Sequence, residues 1–203
     1  MQTIEVKIGD WISKGFDLYK ANFATLLVAG IIAILLSVVT IGILGGPLMA
    51  GLIMMTLALI RKTEPKPGAG DVFKGFSVFL NAFLYAIAMA LPMMILNFIP
   101  CVGPILGLAY GLGVGTLWMF ALYLIADKNM AFWPACQASM EKVKSNFWPF
   151  LALWVVASVL GSIGAIACGI GMLVTLPVQF CIMSVAYEEI FNAPAPAAPA
   201  PTA

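Results

Sequence analysis

The side chains able to do chemistry in this chain are few, and their placing narrows what they can do. There is no histidine, which removes the commonest general base and the commonest metal ligand together. The acids Asp10, Asp17, Glu64, Asp71, Asp127, Glu141, Glu188 and Glu189 are scattered and mostly alternate with lysines. That pattern suits solvated helix faces better than an acid–base pair or a ligand set. Of the four cysteines, Cys101 and Cys168 fall at turns, where either one disulfide or two free thiols fits. Cys136 and Cys181 read as small buried residues. No CxxC spacing marks a zinc site, and no glycine-rich loop with an adjoining lysine marks a phosphate cradle. The expectation is a protein with no catalytic, metal or cofactor-binding residue. Among polar residues in the apolar stretches, Asn97 and Gln179 are the costliest to bury. They are the candidates for lining a cavity, although one interhelical hydrogen bond for each is the better reading.

The elements that must position these residues follow from where charge is missing. Apolar residues make up 63% of the 203 residues and charged residues 9%, against roughly 45–50% and about 25% in soluble domains. A net charge of +1 offers no basic surface for a nucleic acid. Residues 21–60, 75–126 and 145–187 carry no charge at all. Each gap has room for two helices of ~20 residues, the length that crosses a bilayer, and a turn between them. The breaker clusters at 40–47, 97–104 and 167–171 mark those turns. The sequence therefore predicts an all-α integral membrane protein with six transmembrane helices, near 23–40, 43–60, 78–98, 104–126, 147–167 and 170–190. All ten Lys and Arg then lie on one side, which the positive-inside rule assigns to the cytoplasm together with both termini. The expected location is the cytoplasmic membrane. No cleavable signal peptide is expected, and the Pro/Ala-rich stretch 193–203 is expected to be an extended tail beyond a single domain of residues 1–192.

A short phrase recurs ahead of the apolar gaps. Lys20-Ala-Asn22-Phe23 matches Lys144-Ser-Asn146-Phe147, and Lys14-Gly-Phe16 matches Lys74-Gly-Phe76. Aligned on these, Ile12, Phe16, Tyr19 and Phe23 correspond to Val72, Phe76, Phe79 and Phe83, and to Cys136, Met140, Val143 and Phe147. The spacing of four, three and four is one face of a helix. Gly9-Asp10 and Gly70-Asp71 place an N-cap candidate at the start of the first two copies. The reading is three parallel hairpin repeats, near 9–60, 70–126 and 131–191, each preceded by a short cytoplasmic-side amphipathic helix. Trp11, Phe16, Lys20, Phe23, Lys74, Phe76, Met140, Lys144, Phe147 and Trp148 are the expected membrane-interface residues. Small residues recur every fourth position at Gly107-Gly111-Gly115 and Ala157-Gly161-Ala165, spacing that lets helices approach closely in lipid. Pro92 and Pro177 are expected to kink their helices.

The segment 126–155 carries a resemblance. An acid ends one helix (Asp127), an Ala-x-x-x-Ser helix follows (Ala135, Ser139), and a basic-x-Asn-Phe-Trp entry opens the next (Lys144, Asn146, Phe147, Trp148). This is similar to bacterial multi-helix membrane proteins related to the membrane domain of glycerophosphodiester phosphodiesterases. The resemblance implies a stand-alone membrane domain of this topology. It does not imply phosphodiesterase chemistry, since Cys136, Gln137 and Ala138 stand where that group has arginine-rich positions. The functional expectation is a non-enzymatic membrane-embedded scaffold, interaction or bilayer-shaping module. Its partners would be the lipid bilayer and a second copy or another membrane protein. The alternative is a channel or carrier for a neutral or lipidic solute.

Overall fold

The computed structural model describes residues 6–100, 102–162, 164 and 171–192. Cys101, Ala165, Cys168 and the tail 193–203 lie outside the described residues. Among those described, every regular element is helical: α1 (Ile8–Ala21), α2 (Phe23–Val39), α3 (Gly45–Ile60), a 3-10 helix (Ala69–Val78), α4 (Phe79–Asn97), α5 (Gly103–Leu117), α6 (Ala121–Lys128), α7 (Phe132–Lys144), α8 (Phe147–Ser162) and α9 (Met172–Phe191). Three stretches are long and apolar enough to cross a membrane: Ala69–Asn97, Gly103–Lys128 and Leu173–Phe191. The number rises to five if the bent pairs α1–α2 and α7–α8 are each one span, and α3 is a shorter apolar helix. Val39, Ile41, Phe98 and Ile105 are among many large apolar side chains left exposed. Water does not tolerate so broad an apolar surface, whereas lipid does. The chain is a multi-pass membrane protein.

Two bends fall on the repeated phrase. The chain turns by 91° between α1 and α2, at Asn22, and by 112° between α7 and α8, next to Asn146. At the first bend the Asn22 amide donates to the Leu18 carbonyl at 3.0 Å. That bond takes up one of the carbonyls left open where α1 stops. The middle copy departs from expectation. Its segment is a 3-10 helix that runs without a break into α4, so Lys74 and Phe76 do not sit on a separate interfacial helix. The cause is legible in the residues: Leu80-Asn81-Ala82 stands where the other copies have Lys-Ala-Asn and Lys-Ser-Asn. The aspartates also stand at the third helical position rather than at the N-cap. Asp10 and Asp71 both lie in the first turn, and Asp71 accepts the Gly68 N–H at 3.1 Å.

Helix neighbours form a closed sequence: α2 packs on α3, α3 on α4, α4 on α5, α5 on α8, α8 on α9, and α9 back on α2. The centre is filled by α3, α6 and α9. Every residue of α6 from Ala121 to Ala126 is buried, as are Leu48, Ile53 and Met55 of α3 and Cys181, Ile182 and Tyr187 of α9. In lipid the hydrophobic effect does not drive helices together, so close backbone approach and interhelical hydrogen bonds must. Both are present. The Thr56 and Ser184 hydroxyls bond across α3 and α9 at 2.6 Å. A Cβ on Gly51 or Gly75 would collide with backbone of the opposing segment, at Val72 or at Pro47 and Gly51.

The expected fourth span, 104–126, is not one continuous helix. It breaks at Trp118–Phe120, between α5 and α6. Ser139 of α7 satisfies the opened backbone: its hydroxyl donates to the Leu117 carbonyl at 2.8 Å and accepts the Phe120 N–H at 3.2 Å. A side chain from another helix thus supplies what the missing helical turn withdraws.

Candidate functional site

The charged residues that looked scattered converge where the three central helices end. Arg61 follows α3, Asp127 lies near the end of α6 and Glu188 near the end of α9. The Arg61 guanidinium donates to both Asp127 oxygens, at 2.6 and 3.0 Å. It also donates to Glu188, from Nε at 3.1 and 3.2 Å and from a terminal nitrogen at 2.8 Å. Asp127 receives further bonds from the Tyr187 hydroxyl at 2.9 Å and the Asn192 amide at 3.3 Å. Asn192 reaches Glu188 as well, at 3.2 Å.

One fork therefore joins three helices, a task for which the planar guanidinium is suited and a lysine is not. The hydrogen bonds that Arg61 donates to Asp127 and Glu188 hold its pKa above its ordinary value. Glu189, the next residue, accepts the Trp11 indole N–H at 2.7 Å and pairs with Lys14. This brings α1 into the same cap. Beneath it Phe120, Tyr123, Tyr187 and Phe191 pack ring against ring, with Tyr187 stacked on Phe191 at 5.1 Å.

The expected interface residues divide into two groups. Trp148 is 76% exposed and Phe23 is 43% exposed; Phe76, Lys20, Lys74 and Lys144 are exposed too, and Phe147, Met140 and Phe16 are half-buried. Lys74 pairs with Asp71 at 3.1 Å. Trp11 is not at the rim. It is buried at 1% exposure, because the apolar face of α1 lies on α9 rather than on lipid. Tyr19 of the same face is buried and donates to the Val174 carbonyl at 2.7 Å. Phe73, Phe76, Phe79 and Phe83 form a ladder of neighbouring rings about 6 Å apart along the 3-10 helix and α4.

Asn97 and Gln179 do not form the expected polar lining. Asn97 is exposed and donates to Met93 of its own helix at 2.8 Å. Gln179 packs on Gly161, where an added Cβ would lie 2.5 Å from its amide oxygen. The small-residue positions serve contacts within the chain. Gly115 meets Trp154 of α8, Gly107 and Gly111 face Met93 of α4, and Ala157 is buried. Cys136 and Cys181 are buried free thiols. No three acids or cysteines converge as a metal-ligand set among the described residues.

Comparison with known proteins gives no matching family model, no matching curated protein and no matching solved structure. The reading rests on this chain's own geometry.

Sequence reasoning missed the cap because its members stand more than sixty residues apart. The usable signal was positional: Arg61, Asp127 and Glu188 are each the first charge after an uncharged gap. A second missed feature is the small residue at one register of each short helix. Gly15 abuts Ile182 of α9, Gly75 abuts α3, and Ser139 bonds to the break between α5 and α6. Under the alignment of the repeated phrase these three positions are equivalent.

Proposed function

We propose that the chain is a non-enzymatic scaffold embedded in the cytoplasmic membrane, with six crossings in three parallel hairpins and both termini on the cytoplasmic side. The observation that carries this reading is cyclic. Each short helix docks through its equivalent small residue on the second helix of the preceding hairpin: α1 on α9, the 3-10 helix on α3, α7 on α5 and α6. The three second helices then meet at the ion cap. A core sealed in this way, with carboxylates committed to Arg61 and Lys14, suits a rigid platform. Exposed aromatics at its charged end, Phe76, Trp133 and Trp148, suit engagement of one leaflet. The similarity of 126–155 to the membrane domains named above agrees with this layout and adds no activity to it.

Reconstitution in liposomes tests the bilayer-shaping part. Wild-type protein is expected to shift vesicle curvature or size. Protein with Phe76, Trp133 and Trp148 replaced by serine is expected to fold and lose that effect. Unchanged vesicles with wild type would remove the bilayer-shaping role.

A second reading, a carrier for a neutral or lipidic solute, draws on one observation. An apolar recess of about 350 Å³ lies between α2, α3 and α9, lined by residues such as Ala33, Val38, Met49 and Leu176. Flux of such a solute in proteoliposomes would favour it over the scaffold.

A further inference from the structure

The apolar recess between α2, α3 and α9 has a cause that the repeated phrase exposes. Aligned on Phe23, Phe83 and Phe147, Ala33 corresponds to Met93 of α4 and Ala157 of α8, and Ser37 to Asn97 and Gly161. In the second hairpin the Met93 side chain lies over Gly107 and Gly111 of α5, 3.6 and 3.7 Å from where a Cβ would stand. In the third, Gln179 of α9 lies over Gly161. The first hairpin has only the short side chains of Ala33 and Ser37 at these positions, and there the recess of about 350 Å³ opens. Two repeats close the equivalent place with a long side chain, and one leaves it open.

The lining suits hydrocarbon rather than water. Its floor includes Ala33 and Leu52, 4% and 2% exposed, and its walls include Val38 and Ile41, which are highly exposed. Among the described residues Ser37 is the one polar side chain that lines it. The Ser37 hydroxyl already donates to the Ala33 carbonyl at 2.7 Å. A buried water needs two to four polar partners, which this lining does not offer. The volume is more than twice the ~150 Å³ of an apolar cavity that takes up benzene. Ala33, Ile34, Ser37 and Val38 lie on one face of α2, so the recess runs lengthwise along that helix. An elongated apolar slot fits a chain better than a ring.

We propose that this recess binds one acyl chain of a membrane phospholipid, drawn from the leaflet that holds the α2–α3 turn. The chain takes the place that Met93 takes in the second hairpin, against Ala33 and Leu52, and the headgroup stays outside. In lipid the gain is contact: an open space beside α2 lacks partner atoms on one side, and a chain supplies them. No charged residue lines the recess, so it selects the chain and not the headgroup. The inference rests on the membrane-embedded reading and holds for a scaffold and a carrier alike.

The test uses the full chain, delipidated in a steroid detergent that has no alkyl chain. It is titrated with a phosphatidylcholine carrying a diazirine on one acyl chain, irradiated, and its labelled residues are located by mass spectrometry. Label is expected at 33–38 and 49–52, saturating at one lipid per chain and displaced equally by unlabelled phosphatidylcholine and phosphatidylglycerol. The exposed face of α4, with Leu91, Met94 and Ile95, should take label without saturation. Ala33→Met gives the first hairpin the side chain of the second. It is expected to lower recess label about tenfold and to leave α4 label unchanged. Ser37→Phe fills the slot from a half-buried position and should do the same, which keeps the test open where the first variant folds poorly. Recess label that rises without saturation, as at α4, overturns the proposal, because it marks ordinary solvating lipid. Recess label that neither variant changes overturns it too. A dimeric mass with label at α4 and none at the recess would give that face to a second copy instead. Label at neither place overturns the membrane-embedded reading along with the site. Vesicle shape and solute flux do not enter these readouts, so failure here and failure of the scaffold reading are separate results.

Discussion

Arg61 grips Asp127 through two parallel hydrogen bonds, at 2.6 and 3.0 Å, across 66 residues of sequence. The same guanidinium holds Glu188 from its other edge. The pair sits between the exposed and buried limits, with the Asp127 side chain 11% and the Arg61 side chain 37% exposed. Removing Arg61 leaves two carboxylates facing each other with only Tyr187 and Asn192 between them. Arg61→Ala is therefore expected to cost about 1–3 kcal/mol, between the values typical of surface and buried pairs. Arg61→Lys should recover only part of it, since an ammonium cannot form the fork. Thermal unfolding in detergent reads both; full rescue by lysine would mean the cap is only a matter of net charge.

The glycines separate into two classes that a substitution series can resolve. Gly51→Ala places a methyl group into the Val72 backbone, and Gly75→Ala into Pro47 and Gly51. Each is expected to destabilise by at least about 1–3 kcal/mol, because backbone cannot yield as a side chain does. Gly107→Ala and Gly111→Ala meet only the flexible end of Met93, at 3.6 and 3.7 Å, and should be near neutral. Melting temperatures that rank the four variants otherwise would contradict the packing described.

The apolar helices were legible because charge is absent from them, although three to five of them, not six, meet the length and composition of a membrane span among the described residues. The bends at Asn22 and Asn146 fall on a repeated phrase, whereas the middle copy, expected to carry the same short helix, runs straight into α4 because it has Leu80-Asn81-Ala82 in place of that phrase. The break at Trp118–Phe120 was not legible: no Gly or Pro marks it, and its compensation by Ser139 comes from a helix nineteen or more residues away. Nor was the fate of Trp11 and Tyr19. An amphipathic face looks the same in sequence whether lipid or another helix covers it. The Arg61 cap was hidden for a related reason, since three residues at three helix ends share no local pattern.

That distinction between lipid and protein cover can be measured with tryptophan. In variants keeping one tryptophan each, lipids brominated near the headgroup should quench Trp148 strongly and Trp11 hardly at all. The first is 76% exposed and the second 1% exposed. Comparable quenching of the two would return α1 to the lipid interface.

The small residues of the short helices give a further expectation. Ser139→Ala removes both bonds that close the α5–α6 break. A loss of about 1–2 kcal/mol is expected, the value of buried groups left unpaired. Ser139→Gly should do no better, because it fills the same position without a hydroxyl. Stability equal to wild type in either variant would show that the break is satisfied in some other way.

The central claim is that every charge lies at one membrane face and that the chain returns to it after each hairpin. Single cysteines in a background with the four native cysteines replaced by alanine test this directly, using an impermeant thiol reagent on intact cells. Cysteines at Ile41, Ile99 and Gly171 are expected to label from outside, and cysteines at Lys66, Asn129 and Ser145 only after permeabilisation. Labelling of any member of the second set from outside, or protection of Ile41 and Ile99 on opposite faces, would contradict the three-hairpin account.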